Sequence, residues 1–495
     1  MKKWKDNIFS SETLLLLTIL CAVLLRAYVA ISRTDNHWPD EQFETLEPAS
    51  SVILHHGYLS WEWIAGYRSW FVPGLYMPLF FILKKIGITG GDGIVHLSRL
   101  FTTLVCSLVI FRLNTILKIL NISFWPRLIA LAFFALSPGM ILYACSTLAD
   151  NWAMIILWLI LPEILLRVES KSIKDWFLIG IWAGLTILPE YHMFLWIFGF
   201  VFTLLLLRIP LMFCIVGCFG SCLIMASSGL LDWITWGKPF HSLIMQGIAG
   251  YEVSTLYSAL PWWDYLPRIS NDLGDVFFLL ILLSFILNFF QWPSAIKFFS
   301  SSRKRIMLIF IPFIVYILIQ MQFGHKENRF LLPIYPCFYL LVGILLENTF
   351  IPSFLERIDR RRYACIIFLL ALPIFSFCSF NAISKTNLIL TSVDISDLET
   401  AVYQDHAHNL DQKSCMLLFN YSWMWTHGEM ILGPKITFIE SKIENAPSNQ
   451  WQECRWAIVP RDKNLNFETN AGSQWKILKS SNRHYLLYKN IAISS

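Results

Sequence analysis

Two adjacent acids, Asp40 and Glu41, open the stretch HWPDEQFETLEPAS at residues 37–50, directly after a run of mostly apolar residues. Paired carboxylates in such a place suit general-base chemistry. A hydroxyl that attacks an activated sugar needs a carboxylate within hydrogen-bond reach to take its proton. Pro39 fits the first turn of a helix, and acids beside it complement the positive end of the helix dipole. Glu41, Glu44 and Glu47 follow at spacings of three, which predicts one helical face. Glu44, with His37, is a candidate contact to the acceptor sugar; Glu44 and Glu47 read equally well as the solvated face of a capped interfacial helix.

A second group, HKENRF at 325–330, sets His325, Lys326, Glu327 and Arg329 in a turn between two apolar runs. Ionisable groups at that depth are costly and point to function. Cations there suit an anion such as a phosphate, and Arg can bind two oxygens at once. His325, Lys326 and Arg329 are therefore candidate donor-phosphate ligands, with Arg68 from GYLSWEWIAGYRSWFVPG (57–74) as a fourth. Trp61 and Trp63 in that stretch are candidate platforms for sugar rings. So are Asp232, Trp262 and Trp263, in the aromatic-rich segment that runs from 232 to 265. An interfacial aromatic belt is the competing reading for all of these tryptophans. Asp150, Asn151, Glu190 and His192 also fall at span ends, as cavity lining or as helix caps. There is no DxD, Walker A or GxGxxG pattern, which argues against a soluble nucleotide-sugar donor.

The elements that must hold these groups are membrane helices. The chain has 495 residues, 56% hydrophobic, 16% aromatic and 15% charged, with a net charge of +5. Soluble domains carry about a quarter charged residues. Repeated apolar runs reach the ~20 residues that cross a bilayer core. Expected spans lie at about 8–31, 95–118, 126–145, 150–168, 174–190, 192–208, 210–231, 273–291, 305–324, 328–347 and 362–382. Basic segments MKKWK, SSRKR (301–305) and ERIDRRR (356–362) are expected in the cytoplasm. Eleven spans keep all three on one side. The stretch 70–87 is then an interfacial or re-entrant helix, broken at Pro73 and Pro78. The basic residues set orientation and call for no nucleic-acid partner. The large polar segments 32–94 and 232–272 and the tail from about 383 fall on the opposite, extracytosolic face. The tail alternates short apolar strings with turns and is expected to form a small α/β domain. Cys415 and Cys454 lie in that tail and are able to pair if it is outside the cytosol; most other cysteines sit in apolar runs. No Cys/His cluster has zinc-like spacing.

HWPDEQFETLEPAS, GYLSWEW, YRSWFVPG and HKENRFLLPIYP together resemble glycosyltransferase family 22, the multispanning mannosyltransferases of the GT-C superfamily. The resemblance covers roughly residues 10–380. It implies a GT-C catalytic domain over 1–382, with the extracytosolic α/β domain at 383–495. It implies inverting transfer of mannose from dolichyl- or another polyprenyl-phosphate-mannose to a lipid-linked glycan, such as a glycosylphosphatidylinositol (GPI) anchor precursor. Asp40 and Glu41 take the carboxylate role on this likeness, and no metal or other cofactor is expected. Membrane lipids are the remaining partners. The location implied is the endoplasmic reticulum membrane in a eukaryote or the inner membrane in a bacterium, with the active site facing the lumen or periplasm. Glu190 and His192 stand where the family pattern leads to a more basic stretch. A bacterial relative moving another polyprenyl-phosphate-linked sugar, and a lipid or glycan transporter, are the alternatives.

Overall fold

The computed structural model describes residues 11–33, 38–256, 260–274, 279, 281–286, 292–347, 398, 402, 414–419, 436–441, 454–460, 475–480 and 485–490. In chain order the helices are α1 (Ser11–Ser32), a π-helical turn (Glu41–Leu46), α2 (Glu47–Ile53), α3 (Trp61–Ile64), α4 (Phe71–Lys85), α5 (Asp92–Ile119), α6 (Phe124–Leu136) and α7 (Pro138–Ala144). There follow α8 (Ala149–Arg167), α9 (Ile173–Leu185), α10 (Phe194–Leu206), α11 (Leu211–Trp236), α12 (His241–Leu256), α13 (Tyr265–Leu273), α14 (Trp292–Gln320) and α15 (Tyr335–Glu347). Five strands close the chain: β1 (Ser414–Phe419), β2 (Ile436–Ser441), β3 (Trp456–Pro460), β4 (Trp475–Ser480) and β5 (Tyr485–Asn490).

Among the described residues five helices are long and apolar enough to cross a membrane, and the bent pair Phe124–Leu136 and Pro138–Ala144 makes a sixth if counted as one span. This is an integral membrane protein. The expected span 362–382 lies outside the described residues, and 273–291 is described only in part. Two local expectations differ from the structure. Helix α4 runs unbroken through Pro78. Its 15 residues span roughly 22 Å, short of the ~30 Å bilayer core. SSRKR is not a loop but the middle of the 29-residue α14. There Arg305 Nη1 donates to the Ile119 carbonyl at 3.0 Å and closes the end of α5.

The chain divides into two compact units. One comprises residues 1–29, 66–71 and 100–382, the other 30–65, 72–99 and 383–495. Within the first, α9 and α11 pack at the distance small residues permit: a Cβ on Gly180 would collide with the Gly217 carbonyl, and Ser221 Oγ donates to the Gly180 carbonyl at 2.8 Å. The 61° bend between α6 and α7 leaves last-turn carbonyls without helical partners. Arg26, fully buried, serves them: Nε donates to the Ala135 carbonyl at 3.0 Å and Nη2 to that of Phe134 at 2.8 Å. Pro138 then opens α7, at the position where its missing N–H costs nothing.

The second unit holds the five-stranded sheet, in the order β2-β1-β3-β5-β4. Strand β1 pairs parallel with β2 and β3, and β5 pairs antiparallel with β3 and β4. Each of the strings SCMLLFNYSWMW, KITFIES, RWAIVPRD and HYLLYKN, expected to hold strands, contributes one (β1, β2, β3 and β5), and WKILKS adds the edge strand β4. Cys415 and Cys454 are joined in a disulfide. The tail sequence also carries a glycosylation sequon, Asn420-Tyr421-Ser422, which lies outside the described residues.

Candidate active site

The acid-rich stretch belongs to the second unit. Asp40 caps a π-helical turn, a form common at functional sites because the extra residue per turn re-aims side chains. The spacing of three therefore does not give the expected single polar face. Glu41, Glu44 and Glu47 are all buried, at 2%, 8% and 0% exposure, and the solvated-face reading is overturned. Each buried acid needs compensation. Glu41 finds it in two arginines: Oε2 takes bonds from Arg99 Nε at 3.3 Å and Nη2 at 3.2 Å, and Oε1 one from Arg33 Nη1 at 3.4 Å. Arg99 also donates to the Arg33 carbonyl at 2.8 Å, so the clamp ties the start of α5 to the end of α1. Glu47 accepts from Gln42 Nε2 at 2.8 Å and from the Tyr58 amide at 2.5 Å, which folds residues 57–60 back over α2. Asp40 differs from the buried three in being partly exposed. His37 lies outside the described residues.

The aromatic candidates separate. Trp63 is 1% exposed and donates Nε1 to the Phe43 carbonyl at 3.1 Å; it is a core residue under the acidic turn and no sugar platform. Trp61 is 53% exposed. Trp262 and Trp263 are also exposed, on the short 3-10 turn before α13. Asp232 is fully buried and caps α12 from α11: its Oδ2 accepts from the Ser242 amide at 2.9 Å and from Ser242 Oγ at 2.6 Å. Its expected sugar-binding role is replaced by a structural one.

The first unit gathers the cations. Arg329, on the 3-10 segment Asn328–Ile334, sets Nε 2.7 Å from Glu327 Oε2 and 3.8 Å from Asp150 Oδ2. Glu327 also meets His325 Nε2 at 2.7 Å. Arg68 Nη1 is 3.8 Å from Glu190 Oε1. His192 lies between two acids, with Nε2 3.6 Å from Asp150 Oδ1 and Nδ1 3.7 Å from Glu190 Oε2. Arg68, Glu190, His192, Asp150, Arg329, Glu327 and His325 thus form one chain of ionisable groups. The local folding explains it. Asp150 stands in the first turn of α8, where the dipole favours an acid. Glu190 and His192 occupy the break between α9 and α10. Lys326 departs from this group: it is buried, donates to the Phe323 carbonyl and lies over the Tyr265 ring at 5.6 Å.

Three further polar residues escaped sequence reasoning. Arg33 and Arg99 were the partners of Glu41; Arg99 carries the signal of a charge inside an apolar run. Asp272, at the end of α13, accepts from Tyr143 Oη at 3.1 Å, from Asn328 Nδ2 at 3.0–3.1 Å and from Tyr335 Oη. Burial pushes its carboxyl above the ordinary carboxylate value. Arg268 links Asp264 (2.6 Å) to Asn328 (3.0 Å), so α13 is bolted to the turn that carries Arg329. Among the described residues no three of His, Cys, Asp and Glu are grouped to hold a metal ion.

Residues 15–423 match the model of the Alg9-like mannosyltransferase family. Similar curated proteins include mannosyltransferase APTG1 of Arabidopsis thaliana, 24% identical over 62% of this chain and 54% of that one. Human GPI alpha-1,2-mannosyltransferase 3 is 24% identical over 69% and 58%, and alpha-1,2-mannosyltransferase alg9 of Schizosaccharomyces pombe is 23% identical over 63% and 55%. The chain thus spans little more than half the length of these relatives. In fold it is similar to ArnT from Cupriavidus metallidurans bound to undecaprenyl phosphate (TM-score 0.62, 11% identity, covering 96% of this chain and 98% of that one). It is also similar to the archaeal oligosaccharyltransferase AglB from Archaeoglobus fulgidus in complex with an inhibitory peptide and a dolichol-phosphate (TM-score 0.52, 12% identity, 92% and 70%). The architecture is therefore that of GT-C membrane glycosyltransferases, and the family match over most of its length makes this chain a member of the Alg9-like mannosyltransferase family.

Proposed function

We propose that the protein moves mannose from a polyprenyl-phosphate donor, of the dolichyl-phosphate-mannose kind, to a hydroxyl of a lipid-linked glycan such as a GPI-anchor precursor. One observation carries the reading. Of the two neighbouring acids, Glu41 is sealed by Arg33 and Arg99, while Asp40 beside it stays partly exposed. That is the division between a positioning residue and a base. Asp40 takes the proton of the attacking hydroxyl as its oxygen bonds to the sugar's anomeric carbon. The bond from that carbon to the phosphate oxygen breaks on the opposite face, which inverts the configuration. The departing phosphate carries the negative charge, and Arg68, Arg329 and His325 are the groups suited to neutralise it. Lys326, turned toward Phe323 and Tyr265, contributes to the shape of the turn instead.

Support comes from the family and from two neighbours in fold whose structures hold undecaprenyl phosphate and a dolichol-phosphate. The GPI alpha-1,2-mannosyltransferase 3 relatives support a GPI-type acceptor. The Cys415–Cys454 disulfide supports an extracytosolic tail, in the endoplasmic reticulum lumen or the periplasm. The reaction needs no metal in this scheme. A second reading has its own observation: the fold match to bacterial ArnT covers nearly both whole chains, which favours a bacterial transferase of another polyprenyl-phosphate-linked sugar. Proteoliposomes with radiolabelled polyprenyl-phosphate-mannose and candidate glycolipids test both. Transfer of label that survives EDTA supports the first reading. Transfer only from a different sugar donor supports the second, and transfer from none overturns both.

A further inference from the structure

The His192 site holds an unusual pair of atoms. Asp150 is 2% exposed, and neither its Oδ1 nor Nε2 of His192 has a hydrogen-bond partner among the described residues. The two face each other at 3.6 Å. Buried polar atoms are almost always satisfied, and this separation is too long for a direct bond. An oxygen about 2.8 Å from each atom closes a triangle on that base. Such an oxygen must donate to the carboxylate and accept from the ring N–H, or, with a protonated carboxyl and a bare Nε2, accept from the carboxyl O–H and donate to the ring. A hydroxyl does both; a phosphate oxygen or a carbonyl does not. The remaining surroundings suit a sugar. The edges of Tyr316 and Phe330 flank the imidazole at 5.9 and 6.0 Å. Glu190 Oε2 lies 3.7 Å from the other ring nitrogen.

We propose that Asp150 and His192 together grip one hydroxyl of a sugar ring and so determine which sugar is accepted. The proposal rests on the glycosyl-transfer reading above. It assigns these two residues to specificity, apart from the proton transfer at Asp40 and from charge neutralisation at the phosphate. The hydroxyl belongs either to the donor mannose or to the acceptor glycan. A site built to bond a hydroxyl rejects an analogue that lacks it far more strongly than an apolar pocket rejects a missing methylene.

The test uses the full-length protein in proteoliposomes and compares wild type with Asp150→Asn and His192→Gln. Each is assayed with monodeoxy polyprenyl-phosphate-mannose donors and, separately, with monodeoxy acceptors. Wild type should disfavour one deoxy compound by at least 100-fold in kcat/KM. That preference should shrink tenfold or more in both variants, while the other analogues keep their ranking. The series in which it shrinks, donor or acceptor, names the source of the hydroxyl. If either variant fails to give a monodisperse protein, His192→Asn, which withdraws the ring nitrogen from Asp150, should show the same selective loss. Equal loss toward every substrate, as expected if the two atoms hold only a structural water, overturns the proposal. So does unchanged discrimination. Absence of any transfer by wild type overturns the glycosyl-transfer reading and this proposal with it.

Discussion

Asp40 and Glu41 are neighbours in sequence, yet their isosteric substitutions should fail in different ways. Glu41→Gln leaves two arginines buried around a neutral amide. Removing one member of a buried ion pair costs about 3–5 kcal/mol. The three contacts to Glu41 measure 3.2, 3.3 and 3.4 Å, longer than the ~2.7–2.9 Å of the strongest charge-assisted bonds, so the lower end, about 3 kcal/mol, is expected. That is roughly two orders of magnitude in the folding equilibrium constant. Asp40 is partly exposed, so Asp40→Asn should cost less stability than Glu41→Gln. Its loss should appear instead in turnover, by about 10²–10⁴-fold, the usual contribution of a general base. Energies of similar size thus fall on different observables. The assay is paired: label transfer from polyprenyl-phosphate-mannose, and the fraction of monodisperse protein after graded heating in detergent. Adding Arg99→Gln to Glu41→Gln should cost less than the sum of the two changes, because they share one interaction. Transfer by Asp40→Asn at more than a tenth of the wild-type rate, or undiminished heat resistance of Glu41→Gln, refutes the division of labour.

Asp232→Ala should cost about 1–2 kcal/mol through loss of the cap on α12 and leave the ranking of sugar substrates unchanged, measured by heating and by competition between donors. Trp63→Ala should cost about 3–5 kcal/mol as a core deletion, whereas Trp61→Ala should leave thermal stability near wild type. For Asp272, burial raises the carboxyl pKa in the folded protein. The folded state then holds a proton that the unfolded state releases above ~3.9, so this site's contribution to stability declines as pH rises through its folded value. Heating series from pH 4 to 8 should show that decline in wild type and a flatter profile in Asp272→Asn. Reducing the Cys415–Cys454 bond opens a loop of 39 residues and should destabilise the tail by about 4 kcal/mol, read as faster proteolysis of the tail under dithiothreitol.

The helices were legible because length and hydropathy act on the chain one segment at a time. The expected spans 95–118, 150–168 and 328–347 lie within a few residues of α5, of α8, and of the Asn328–Ile334 turn together with α15. The charged turn at 325–330 was legible for a related reason: charges in a turn between apolar runs are expensive and stand out. What the sequence concealed were pairings between distant positions. Nothing near Glu41 announces Arg99, 58 residues on. The face of the acidic helix was misjudged because the i, i+3 rule presumes α-geometry, and this turn is π-helical. Trp61 and Trp63 look alike in sequence; two positions on a short helix were enough to expose one and bury the other.

A buried acid in such a protein is ambiguous until its oxygens are followed to their partners. Glu41 has three bonds from guanidinium groups, Glu47 has an amide from a side chain and one from the backbone, and Asp232 has two from Ser242. At Glu41 and Glu47 the charge is met by the fold itself, and the acid serves to fasten segments; Asp232 fastens α12 through Oδ2 alone, and its Oδ1 has no hydrogen-bond partner among the described residues. Asp150 is as deeply buried, yet its nearest ionisable neighbours, His192 and Arg329, stand at 3.6 and 3.8 Å. Leaving a buried charge so loosely held costs free energy that packing alone does not recover. The same looseness occurs at Glu190, whose contacts with Arg68 and His192 measure 3.8 and 3.7 Å. Clamped acids and loosely held acids therefore occupy different places: the former join helix ends and loops, the latter line the break between α9 and α10 and the start of α8. On the proposed reading, a hydroxyl of the substrate supplies at Asp150 and His192 the partner that the fold supplies to Glu41 and Glu47.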